Sequence, residues 1–140
     1  MKRMARRSLM TTAVLVGTAL VLSGCMTVGA KSPSIEVSDQ SIDGGTVTID
    51  RAVMTQPGWI VIHQQKDGKP GPVLGHAAVD KGTNRNVTVE IDADNATDTI
   101  YAMLHVDSGE MGRYEFPGGD PPVKKNGSVV VVPFSVAGSM

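Results

Sequence analysis

"GWIVIH", residues 58–63, decides the fold. As a strand it sets Trp59, Val61 and His63 on one face and Ile60 and Ile62 on the other, because side chains alternate along a pleated backbone. Both faces are largely apolar, so the segment reads as an interior strand with material packed on each side. "TIYAMLHV", residues 99–106, has the same character: Ile100, Ala102, Leu104 and Val106 share one face, and Tyr101, Met103 and His105 share the other.

Working outward, shorter β-type runs flank these two. "SIEVS" alternates at Ile35 and Val37, "GTVTIDRAV" at Val47 and Ile49, and "NVTVEI" sets Val87, Val89 and Ile91 inward. "VLGHAAV" fills residues 73–79, "RYEF" predicts a short strand at 113–116, and "SVVVVPFSV" closes the chain. In that last run Pro133 predicts an edge or a bulge, since proline cannot donate to a ladder. Asp43-Gly44-Gly45, Asp67-Gly68, Lys81-Gly82 and Asn126-Gly127 punctuate the runs, and Asp-Gly and Asn-Gly favour two-residue hairpin turns.

The pattern predicts an all-β domain over residues 35–140: an antiparallel, immunoglobulin-like β-sandwich of about seven or eight strands, with a small closed barrel as the alternative. Trp59, Ile60, Ile62, Val89, Ile100, Ala102 and Leu104 are its predicted core. The single cysteine rules out a Cys…Trp…Cys framework.

The 140 residues are enough for one domain. Of 13 basic residues, four (Lys2, Arg3, Arg6 and Arg7) stand at the N-terminus, leaving nine against 14 acidic residues, a net of about −5. A mildly acidic body without basic clusters argues against a nucleic-acid partner, whose phosphates must be neutralised.

"MKRMARRSLMTTAVLVGTALVLSGC" has the basic head, apolar run and small-residue end of an export signal. The apolar run, ~14 residues, is short of the ~20 that span a bilayer. Arg6-Arg7 faintly resembles a twin-arginine signal, but the full pattern is incomplete, and general secretion is the expected route. Leu22-Ser23-Gly24-Cys25 resembles the lipobox of bacterial lipoproteins. The resemblance implies cleavage of residues 1–24 and lipidation of Cys25, with residues 25–34 as lipidated N-terminus and tether. Two or three acyl chains would then hold the protein on a membrane stably. That membrane would be the outer one in a Gram-negative cell, or the outer face of the cell membrane in a Gram-positive cell. Methionine rather than aspartate at position 26 favours outer-membrane delivery in the first case. The Asn-x-Ser/Thr matches "NVT", "NAT" and "NGS" are read as turn sequences.

Gln56 to His63, Gly68 to Gly75 and Ala102 to Gly118 resemble segments of a domain family of exported and surface-attached prokaryotic proteins, over residues 45–135. The resemblance supports the domain assignment and brings no established activity or ligand.

No Gly-x-Ser-x-Gly motif or phosphate-cradling loop is present, and Ser108 near His105 makes no triad without geometry. A non-enzymatic binding or interaction module is therefore expected, with no cofactor and an envelope protein or surface ligand as partner. The face bearing Trp59, His63, Tyr101, Met103 and His105 is the expected binding surface. A metal-binding accessory protein is the alternative. For copper the candidates are His105, Met103, Met111 and His63, imidazoles and thioethers being suitable ligands, though no tightly held metal is expected. For calcium the candidates are Asp92, Asp94, Asp98, Asp107, Glu110, Glu115 and Asp120, without the glycine and distal glutamate of an EF-hand loop.

Overall fold

The computed structural model describes residues 32–137. The expected signal sequence, Cys25 and the tether as far as residue 31 lie outside the described residues.

Two sheets face each other. Strands β1 (Ser34–Glu36), β3 (Thr46–Met54) and β6 (Gly82–Glu90) form one, in the order β1-β3-β6. The other is five-stranded and takes in β2 (Gln40–Ser41), β4 (Gly58–Lys66), β5 (Lys69–Val79), β7 (Thr99–Val106) and β10 (Val131–Ala137), in the order β2-β10-β7-β4-β5. A small hairpin, β8 (Lys124–Lys125) with β9 (Ser128–Val129), stands beside them. A single 3-10 turn, Ala93–Asn95, interrupts the β-structure.

The all-β sandwich is as the sequence predicts, with two corrections. The described residues form ten strands rather than seven or eight, three of them only two residues long, and among them β2 pairs with β10 in parallel while every other pairing is antiparallel. Strands of two residues leave no periodicity to detect, which is why β2 and β8 escape a sequence reading.

The core follows from alternation. Ile60 and Ile62 on β4, Ile100, Ala102 and Leu104 on β7, and Phe134 on β10 meet Val47, Ile49, Val89 and Ile35 from the facing sheet. Both strands read as interior are interior: β4 lies between β7 and β5, and β7 between β10 and β4. The Asp67-Gly68 turn joins β4 to β5 with both residues at positive φ, the geometry of a type I′ hairpin, and Asn126-Gly127 joins β8 to β9 in the same way. Pro133 sits opposite Tyr101 of β7, and its other side is a local edge, because β2 reaches only Val136 and Ala137.

The third correction concerns "RYEF", which is not a strand. Residues 107–120 form an irregular loop tied by side-chain acceptors rather than by a ladder. The chain then returns along β7, where Val106 N–H donates to Pro121 C=O at 2.9 Å and Val123 N–H to Leu104 C=O at 2.8 Å.

Candidate functional site

The outer face of the five-stranded sheet is where the chemistry gathers. Antiparallel register sets Trp59 opposite His105, Val61 opposite Met103, and His63 opposite Tyr101. On the far side of β4, His76 stands opposite Val61. All three histidines of the chain therefore rise from one face.

That face, the expected binding surface, is largely covered. Trp59, His63, Met103 and His105 are buried, and Tyr101, half-buried, donates its hydroxyl to Gly68 C=O at 2.9 Å. The cover includes the chain's own loop 107–120. Phe116 meets His105 edge-on at 4.6 Å between ring centroids, and Tyr114 stacks on exposed His76 at 4.2 Å. Trp59 packs edge-on against both His76 and Tyr114. An interior strand whose outer side chains are this apolar needs a cover, and here much of it is intramolecular.

Asp120 fastens the cover. Its side chain is fully buried, and Oδ1 accepts the backbone N–H of Ser108 at 3.0 Å and of Gly109 at 3.2 Å, while Oδ2 accepts that of Glu115 at 2.9 Å. Burial alone would raise the carboxyl pKa. The three backbone donors outweigh it and hold the group below its ordinary value, with help from the Trp59 indole, which faces the same carboxylate without closing a well-formed hydrogen bond. The Asp120 backbone carbonyl accepts Nδ1–H of His105 at 2.8 Å, so one residue binds both the loop and the sheet. The other acidic side chains serve the same purpose: Glu115 accepts from Glu110 N–H at 2.7 Å and Asp107 from Gly112 N–H at 2.7 Å.

This arrangement bears directly on the calcium candidates. Asp107, Glu115 and Asp120 point oxygens at amide donors rather than converging on a cation, and Asp92 is bonded to the Asn95 side chain. Among the described residues no group of three or more His, Cys, Asp or Glu could hold a metal ion.

The copper candidates divide. Met111 is exposed on the loop, away from the face. His63, Met103 and His105 are brought together. His63 pairs through Nδ1 with Gly71 C=O at 2.7 Å, and His105 through Nδ1 with the Asp120 carbonyl. A carbonyl only accepts, so Nδ1 carries the proton in each ring, and a neutral ring then has its lone pair on Nε2. Burial lowers both pKa values below the ordinary 6.5, against an upward pull from the two backbone bonds, so both rings are neutral at pH 7. Each Nε2 is buried without a protein hydrogen-bond partner, as are Trp59 Nε1 and the Tyr114 hydroxyl. Tyr114 is accordingly pushed up from its ordinary value, by burial first and by Asp120 second.

Sequence reasoning found the strand residues of this face, named Asp120 only as a calcium candidate and not as the loop's fastener, and missed Tyr114, Phe116 and His76. For His76 simple alternation misleads: it stands two residues from Leu74, which on a regular strand would share its face, but the register shift in β5 turns Leu74 into the core and leaves His76 outside. For the three loop residues there was no signal, because their placement rests on amide–carboxylate bonds that have no period.

Comparison with known proteins gives the fold a family. Over 105 residues, 74% of this chain, it is 34% identical to "Cell surface glycoprotein 1" of Haloarcula hispanica, and equally to "Cell surface glycoprotein 2" of the same archaeon. The chain spans only 11% of the length of each. No solved structure matches it. The matched family covers residues 33–137, which is the whole sandwich together with its covering loop, and the chain belongs to that family, "Domain of unknown function (DUF7282)".

Proposed function

We propose that this chain is an exported cell-surface protein, held at a membrane by a lipid on Cys25, whose sandwich serves as a non-enzymatic interaction module. The observation that carries the reading is the match, domain-long and 34% identical, to two proteins described as cell surface glycoproteins. The relatives support a surface location, and the export-type head with Leu22-Ser23-Gly24-Cys25 supports lipidation as the means of staying there. The anchor reading asks only for an acceptor cysteine behind an export signal and does not depend on the type of envelope. The non-enzymatic reading rests on the loop's acidic groups, whose carboxylates are engaged by backbone amides.

Cys25→Ser tests the anchor. The native protein should sediment with membranes, and its intact mass should exceed that of residues 25–140 by a lipid. The variant should carry no such addition and should leave the mature membrane fraction. Equal masses and equal fractionation of the two would sink the reading.

A further inference from the structure

We propose that His63 and His105, with Met103 between them, form a buried site for a soft monovalent cation, Cu(I). Three observations converge on it. By register His63 and His105 stand four positions apart on neighbouring strands, roughly 13 Å along the sheet at ~3.3 Å per residue. Their ring centroids are nevertheless 6.1 Å apart, with planes inclined by 22°. Each side chain leans toward the other, over the Val61–Met103 pair that separates them in register.

The second observation is how the rings are held. Each donates Nδ1–H to a backbone carbonyl, Gly71 for His63 and Asp120 for His105. This is the arrangement by which outer groups fix the tautomer and direction of a metal-binding imidazole. The third is that both Nε2 atoms are buried and satisfied by no protein atom, an expensive state for two polar atoms on one face. His63 and His105 are more than nine-tenths buried, at 5% and 0% exposure.

The donor set selects the ion. Two neutral imidazoles and a thioether carry no charge, and the Asp120 carboxylate, close enough to act on His105, has its oxygens taken by three backbone amides, so the set suits a soft monovalent ion of low coordination number better than zinc or calcium. Binding transfers no electron. It also releases almost no protons near pH 7, because burial already keeps both rings neutral.

The test is a titration of the full chain in detergent with Cu(I), under a competing chelator and a reductant. One equivalent should bind. His63→Gln and His105→Gln should each weaken binding by more than the roughly 10–100-fold that follows loss of an outer group. Met103→Leu should weaken it less, and His76→Gln and Met111→Leu should leave it unchanged. Because a substitution on this face can disturb folding, the native protein supplies a second readout. Nitrogen-15 NMR with Ag(I), a redox-inert stand-in, should move Nε2 of His63 and His105 and leave His76 in place. No competition for Cu(I), native affinity in both glutamine variants, or unmoved Nε2 resonances would each overturn the site.

Discussion

On one face of β4 and β7 stand Ile60, Ile62, Ala102 and Leu104; on the other stand Trp59, His63, Met103 and His105. Both faces are buried, by different means. The first is closed by a second sheet, aliphatic against aliphatic, where burial scales with area and tolerates no polar atom. The second is covered by an irregular loop whose backbone donors must be satisfied one by one, and Asp107, Glu115 and Asp120 satisfy them. The difference shows why every orphaned ring nitrogen in the molecule lies on the loop side: aromatic rings with polar edges can be roofed over by a loop without each edge finding a mate.

If the aliphatic face carries the stability, the largest effect should come from it. Leu104→Ala, at a fully buried position, should cost about 2–5 kcal/mol in denaturant titration. Phe116→Ala, half-buried on the loop, should cost less. A smaller loss for Leu104→Ala than for Phe116→Ala would reverse the ranking of the two faces.

The loop side should show itself instead as a pH slope. His63 and His105 have folded-state pKa values below the ordinary 6.5 that they regain on unfolding. Below pH 6.5 the unfolded chain therefore binds more protons than the native one. The stability these rings allow is fully present above pH 6.5 and is lost as pH falls toward their folded-state values. Melting temperature followed from pH 8 to pH 5 should decline in the lower part of the range. The double variant His63→Gln, His105→Gln should flatten that decline, and an unchanged slope would mean that the two rings are not the titrating pair.

The same contrast explains what was legible in the sequence. Ile60, Ile62, Ala102 and Leu104 are placed by alternation alone, and "TIYAMLHV" matches β7 from Thr99 to Val106. Asp67-Gly68 and Asn126-Gly127 announce their turns because positive φ at two successive positions restricts the residue types. Tyr114 and Phe116 suggested a strand because they alternate with Arg113 and Glu115, but Glu115 N–H is taken by the Asp120 carboxylate, so no ladder forms there. That His63 and His105 approach each other needed the register of β4 on β7, which no single strand contains.

The smallest effect is expected at Met111, and it sharpens the comparison because Met103 is the same residue type in the opposite setting. Met103 is 9% exposed on the sheet face and Met111 is 65% exposed on the loop. Met103→Ala removes packed atoms and should cost about 2–5 kcal/mol, whereas Met111→Ala removes atoms already in water and should change stability by less than about 0.5 kcal/mol. Urea midpoints of the two variants, taken at equal m-values, measure the gap. A Met111→Ala loss above about 1 kcal/mol, in the range of a buried contact, would mean that the loop packs against something in solution. Concentration dependence of that midpoint would then identify a second copy of the chain, since only association makes apparent stability rise with protein concentration.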